Sequence, residues 1–198
     1  MGSSPTSSAK WRVPLGWLAT GVEYQGIIIG KGSTPSLSAN KGIIMSSLVE
    51  RAEYIARRVH DGQFRKYTRE PYFLHVCNVA RRVAKIDNRP ELIAAAFLHD
   101  SVEDTDLTIE EVGEMFGLEV AELVYDLTDH FTKENYPNMN RAKRKSLEAV
   151  RLGTISNDAK LIKLCDLADN TSSIVEHDPG FAKIYLKEKA DILEAMGY

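Results

Sequence analysis

Cysteine is scarce in this chain: Cys77 and Cys165 are the only two in 198 residues, and they form no Cys-x-x-Cys pair. Both fall at apolar helical positions, which excludes a disulfide framework and points to reduced thiols in a cytoplasmic protein. Excess positive charge is missing too. Twenty-five Lys and Arg face 28 Asp and Glu, a formal charge of −3, which argues against general nucleic-acid binding while leaving room for a locally positive nucleotide pocket. No apolar run could cross a membrane, Ile27-Ile28-Ile29 being far too short, and no secretory core with a cleavage pattern appears. Internal repeats are absent as well. With 43% hydrophobic and 27% charged residues, what is present suits one soluble, well-buried domain.

The first 44 residues nearly lack acids. They contain only Glu23, together with seven of the thirteen glycines, both tryptophans and ten Ser or Thr, so their charge is near +3 and that of the remainder near −6. Met45 then directly precedes a capping box. Residues 1–44 are therefore expected to be an N-terminal extension, either a flexible or added leader or an arm that packs on a partner. Residues 45–198 are expected to form the folded domain.

From residue 46 onward the periodicity is helical. Ser47-Leu-Val-Glu50 opens a helix with Leu48, Ala52, Ile55 and Val59 on one face, ending at His60. Thr108-Ile-Glu-Glu111 is a second capping box, Gly117 a stop, and residues 119–131 the next helix. Asp178-Pro179 supplies an N-cap and first-turn proline for a last helix ending near Gly197. These signals predict an all-α, compact bundle of six to eight helices around a cleft. A loop rich in Pro and Asn over residues 132–140 is placed to border that cleft.

The chemistry concentrates where an alanine-rich apolar helix turns ionic, at His99-Asp100-Ser-Val-Glu103-Asp104. Glu103 follows His99 by four residues and Asp104 follows Asp100 by four, so a continuous helix would present all four groups on neighbouring faces. In a helix over about 158–174, Asp166 interrupts an apolar face of Leu161, Leu164 and Ala168, where an unpaired carboxylate would be costly. A metal resolves both oddities. His60, His99, Asp100 and Asp166 supply two nitrogen and at least two oxygen donors, a set that suits manganese, iron, magnesium or zinc without choosing among them.

These residues fall into a pattern that resembles the HD-domain hydrolases of the RelA/SpoT alarmone group, especially the small stand-alone enzymes, across residues 46–187. His60-Asp-Gly-Gln-Phe-Arg65-Lys66 resembles the family's opening histidine and its Arg-Lys pair, and Pro71-Tyr72-Phe-Leu-His75 its Pro-Tyr-x-x-His segment. Leu98-His99-Asp100-Ser-Val-Glu103-Asp104-Thr105 and Lys163-Leu-Cys-Asp166-Leu-Ala-Asp169-Asn170 resemble the two remaining motifs. The resemblance implies a mononuclear site, usually manganese, held by His60, His99, Asp100 and Asp166, with Glu103 and Asp104 positioning and activating water. It implies removal of the 3′-pyrophosphate from guanosine tetra- or pentaphosphate. Arg65, Lys66, Asn170 and Tyr185 would contact that guanosine polyphosphate, and the basic run 141–145 is either solvated or reaches its phosphates. His75, among Phe73, Val76 and Val79, is expected to support the site without holding the metal.

At 198 residues there is no room for the synthetase and regulatory domains of the bifunctional enzymes. No nucleic-acid or membrane partner is expected, and oligomer formation stays open. Two departures bear on substrate. Leu167 and Asp169 stand where many relatives carry Arg and His, and an extra carboxylate would repel a polyphosphate unless turned away or bound to a cation. The loop 67–70 also lacks the glycine common there. A different phosphorylated nucleotide, including the 2′-phosphate of NADPH, needs the same metal and water with another pocket. A catalytically idle nucleotide sensor would have no use for Glu103 and Asp104.

Overall fold

In a computed structural model, residues 47–198 are described; the N-terminal extension expected over 1–44 lies outside them. The described residues form nine helical segments: α1 (Leu48–Val59), α2 (Phe73–Ala84), α3 (Pro90–Leu98), α4 (Ser101–Asp104), α5 (Ile109–Phe116), α6 (Leu118–Leu127), α7 (Arg141–Leu152), α8 (Asn157–His177) and α9 (Pro179–Met196). Because α4 is a single four-residue turn, the expected all-α bundle is observed with eight longer helices. Among the described residues no helix is long and apolar enough to cross a membrane.

Capping chemistry sets most of the helix starts. Ser47 and Thr108 each accept the N–H three residues on while Glu50 and Glu111 reach back to the cap, so both predicted capping boxes are complete. Asp178 accepts from Phe181 N–H and opens α9, which Gly197 ends in the left-handed conformation at φ 91°. The predicted helix over 119–131 stops earlier, at Leu127. Its would-be last turn is diverted: Asp129 N–H donates to the Glu103 carboxylate, while His130 and Phe131 N–H donate to Glu148.

Helix α3 is the axis of the bundle, packed by α1, α2 and α6. Leu92, Ala94, Ala95, Ala96, Phe97 and Leu98 are all buried, and the alanines let neighbouring backbones approach while Leu92 and Leu98 each contribute about 1.5 to 3 kcal/mol by burial. Helix α8 lies against α2 and α9, and α9 against α7. At that last contact a Cβ on Gly153 would come within 2.6 Å of the Ala195 carbonyl oxygen. This packing brings together the first turn of α2 with His75, the end of α3 with His99 and Asp100 just beyond it, and the middle of α8 with Asp166.

Candidate metal centre

Helix α3 does not run on through the ionic segment. It ends at Leu98, the chain bends at Asp100 (φ −101°, ψ −3°), and α4 restarts at Ser101. The expectation of one continuous helix is corrected here. The bend separates two pairs of groups, leaving His99 and Asp100 at the buried end of α3 and Glu103 and Asp104 on the short turn beyond.

His75, His99 and Asp166 each offer a ligand atom within 4.8 Å of the others. His99 Nε2 lies 3.2 Å from Asp100 Oδ2 and 3.8 Å from Asp166 Oδ1. His75 Nε2 lies 3.5 Å and 3.3 Å from the same two oxygens. Among the described residues neither Nε2 has a hydrogen-bond partner of good geometry although both are buried, a costly state for a polar atom. Ligands about 2.1 Å from one divalent ion sit about 3 to 3.5 Å from each other, so these separations fit a shared cation. The donor set, two imidazoles and two carboxylates, fits a divalent metal.

His60, expected among the ligands, is turned away from this cluster. Its Nδ1 is 2.8 Å from Gln63 Oε1, and the Gln63 amide in turn donates to the Asp104 carbonyl at 2.8 Å. That orientation makes Nδ1 the protonated nitrogen and leaves Nε2 facing Ser101 Oγ at 3.4 Å, not the cluster. Burial holds the ring below its usual pKa, so His60 serves as a neutral latch that ties the end of α1 to α4. The motif's spacing could not separate it from His75, because both follow apolar stretches.

The two carboxylates that face the imidazoles are heavily buttressed. Asp166 Oδ1 accepts from Asn170 Nδ2 at 2.6 Å and its Oδ2 from Lys163 Nζ at 3.0 Å. Burial opposes its charge, but Lys163 and then the two histidines outweigh it and hold Asp166 well below the usual carboxylate range. Asp100 Oδ2 accepts from the Tyr72 hydroxyl at 2.6 Å. For His99, burial is outweighed by Asp100 and Asp166, which lift its pKa to about 9 in the ion-free state; its Nδ1 donates to the Ala96 carbonyl at 2.9 Å. Sequence reasoning missed Tyr72, Gln63 and Lys163 as parts of the site. Each stands inside a recognised segment, near Pro71, His60 and Asp166 respectively, but nothing local showed that its side chain turns to the site.

Glu103 and Asp104 are set apart from the ligands electrostatically. Burial, followed by Asp129 and Asp100, pushes Glu103 up to about 7, and burial with Asp100 pushes Asp104 up to about 6. Carboxyls tuned toward neutrality can exchange protons at physiological pH. Asp129, whose N–H holds Glu103, is itself bound by Lys145 at 2.6 Å.

The residues expected to contact substrate divide. Arg65 donates to Asn170 at 2.9 Å and lies 3.9 Å from Asp169, so Arg65 and Asn170 form a chain leading to Asp166. Lys66 is exposed and sits over the rings of Tyr67 and Phe181, at 4.7 and 5.8 Å. Tyr185 turns inward, its hydroxyl 3.3 Å from the Leu167 carbonyl. In the basic run, Arg141 pairs with Glu188 at 2.8 Å while lying over Phe181, and Arg144 donates to the Met139 carbonyl. Arg69 closes the loop that lacks glycine at φ 59°, a left-handed conformation that glycine would take without strain.

A family model described as "HD domain" matches residues 52–192. The guanosine-3′,5′-bis(diphosphate) 3′-pyrophosphohydrolase of Aquifex aeolicus is 37% identical over 132 residues, covering 64% of this chain and 18% of that protein. The Drosophila melanogaster enzyme of the same name, MESH1, is 35% identical over 137 residues, covering 68% of this chain and 73% of that one. The chain thus spans about a fifth of the bacterial relative and most of the insect one. Among solved structures, a metazoan ortholog of SpoT that hydrolyzes ppGpp superposes with a TM-score of 0.67 at 27% identity, over 84% of this chain and 89% of that one.

Proposed function

Since the chain belongs to the HD-domain family, we propose that it is a metal-dependent hydrolase that removes the 3′-pyrophosphate of guanosine tetra- or pentaphosphate to give pyrophosphate and GDP or GTP. The observation that carries this reading is the pair of buried, unpartnered Nε2 atoms of His75 and His99 facing Asp100 and Asp166. Those four residues would hold the metal, with manganese as the ion of choice. Once bound, a divalent ion supplies a water of lowered pKa and polarises a phosphoryl oxygen.

The chain's own groups do the remaining work. Glu103, raised toward 7, accepts the proton of the attacking water, and Asp104 orients that water from the same turn. Gln63 and His60 hold the turn in place from α1. Lys66 and Arg141, set against Tyr67 and Phe181, offer cations for phosphates beside aromatic faces for a purine. Arg65 and Asn170 contribute by fixing Asp166, and Tyr185 donates to the Leu167 carbonyl one residue further along α8. The catalytic domain is assigned to residues 45–198 and the extension to 1–44. The unpaired, buried Cys77 and Cys165 support a reducing, cytoplasmic setting.

The test is to load the protein with manganese and incubate it with guanosine tetraphosphate, NADPH and simple nucleotides, beside a Glu103→Gln control, following products by chromatography. Pyrophosphate and GDP formed by the parent protein, and slowed about 10²- to 10⁴-fold in the variant, support the reading. Turnover of NADPH alone would overturn the substrate, and no turnover of any nucleotide would overturn the enzyme.

A further inference from the structure

The two metal-facing imidazoles are oriented by different means. His99 Nδ1 is tied to a backbone carbonyl, that of Ala96. His75 Nδ1 instead lies 2.8 Å from Oδ2 of Asp169, one of the two departures in the α8 motif. An ionised carboxylate only accepts, so in the neutral ring this contact places the hydrogen on Nδ1 and leaves the lone pair on Nε2. Nε2 is the atom that faces Asp166 and Asp100 at 3.3 and 3.5 Å.

Asp169 is itself held. Arg65 and Arg82 approach it from two other elements, each at 3.9 Å, and its side chain is 13% exposed. Its charge is therefore matched by two guanidinium groups and one imidazole, which offsets the repulsion of a polyphosphate anticipated from sequence.

We propose that Asp169 is a positioning residue of the metal centre, fixing His75 as the tautomer with hydrogen on Nδ1 and presenting Nε2 to the ion. This rests on the reading of His75 as a metal ligand. Carboxylates behind metal-bound histidines typically contribute 10- to 100-fold in affinity. Asp169→Ala should therefore weaken manganese binding by about that factor, whereas Asp169→Asn, whose amide oxygen can still accept from Nδ1, should stay near the parent.

Isothermal titration of manganese into the parent protein, Asp169→Ala, Asp169→Asn and His75→Ala tests both layers. Weak binding in Asp169→Ala with recovery in Asp169→Asn supports the proposal. Equal affinity in the parent and Asp169→Ala overturns it while leaving the metal site standing, and equal affinity in the parent and His75→Ala overturns the metal reading itself. Nitrogen-15 histidine spectra of the zinc-loaded parent protein give an answer even if Asp169→Ala does not fold. A proton on His75 Nδ1 with Nε2 bound to zinc supports the proposal, and the reverse assignment overturns it.

Discussion

Histidines 60 and 75 are both 2% exposed, and the sequence offers little to tell them apart, yet their surroundings assign them opposite tasks. His60 places Nδ1 against a neutral amide, whereas His75 has three carboxylates within 4 Å. His75→Ala should abolish metal binding, an effect larger than the roughly 100-fold upper range of a supporting residue. His60→Ala should keep the metal and lower kcat by loosening Glu103 and Asp104. Metal content and steady-state kinetics on the two variants check this, and metal loss in His60→Ala alone would reverse the assignment. The reason His75 did not stand out as a candidate ligand is physical. Its apolar flanks Phe73, Val76 and Val79 are what a core histidine would have, and its partners Asp166 and Asp169 lie more than 90 residues further along the chain. His99, Asp100 and Asp166 were legible because each interrupts an apolar helix with a group that burial penalises.

At the level of elements, helix starts were readable, as were the stops at Gly117 and Gly197, but the end of α6 was not. Ser47, Thr108 and Asp178 act on N–H groups within three residues, so local sequence suffices. The end of α6 depends on Glu103 and Glu148, carboxylates that arrive from other helices. The break after α3 likewise has no glycine or proline to announce it. Two local substitutions probe how tightly the elements are set. Gly153→Ala would push a methyl group against the Ala195 carbonyl, and denaturant unfolding should show a loss of about 1 to 3 kcal/mol as α7 and α9 are forced apart. Arg69→Gly should act in the opposite direction. Glycine relieves about 1 to 2 kcal/mol of left-handed strain but adds about 0.5 to 1 kcal/mol of unfolded-chain freedom, so stability should be unchanged or higher by up to about 1.5 kcal/mol. A clear loss would show that the Arg69 side chain is needed.

For the molecule as a whole, metal and protons compete for one set of atoms. His99 is lifted to about 9 in the ion-free protein, so below that pH its ring carries a proton that a metal must displace. The sign follows: the imidazolium pairing with Asp100 and Asp166 stabilises the ion-free fold fully below about pH 6.5, the unfolded value, and is lost as pH rises through about 9. Manganese stabilisation has the opposite trend. The rise in melting temperature on adding manganese should be larger at pH 8.5 than at pH 6.5, and the heat of binding should vary with the buffer's own ionisation enthalpy. An equal thermal shift at both pH values, with heats independent of buffer, would contradict a protonated His99.

The convergence of α2, the end of α3 and α8 on one cluster has a topological consequence. His75 and Asp166 are separated by almost half the length of the chain, so an ion gripping both is a clasp across a very long loop. Closing such a loop costs conformational entropy that grows only slowly with its length, and the clasp recovers it only after the helices have already met. The ion is thus a late lock on an assembled bundle rather than a seed for it. Chelation should release α8 from α2 as a unit, seen as faster amide hydrogen exchange along their shared face, while α5 and its junction with α6, which contribute no donor atoms, keep their protection.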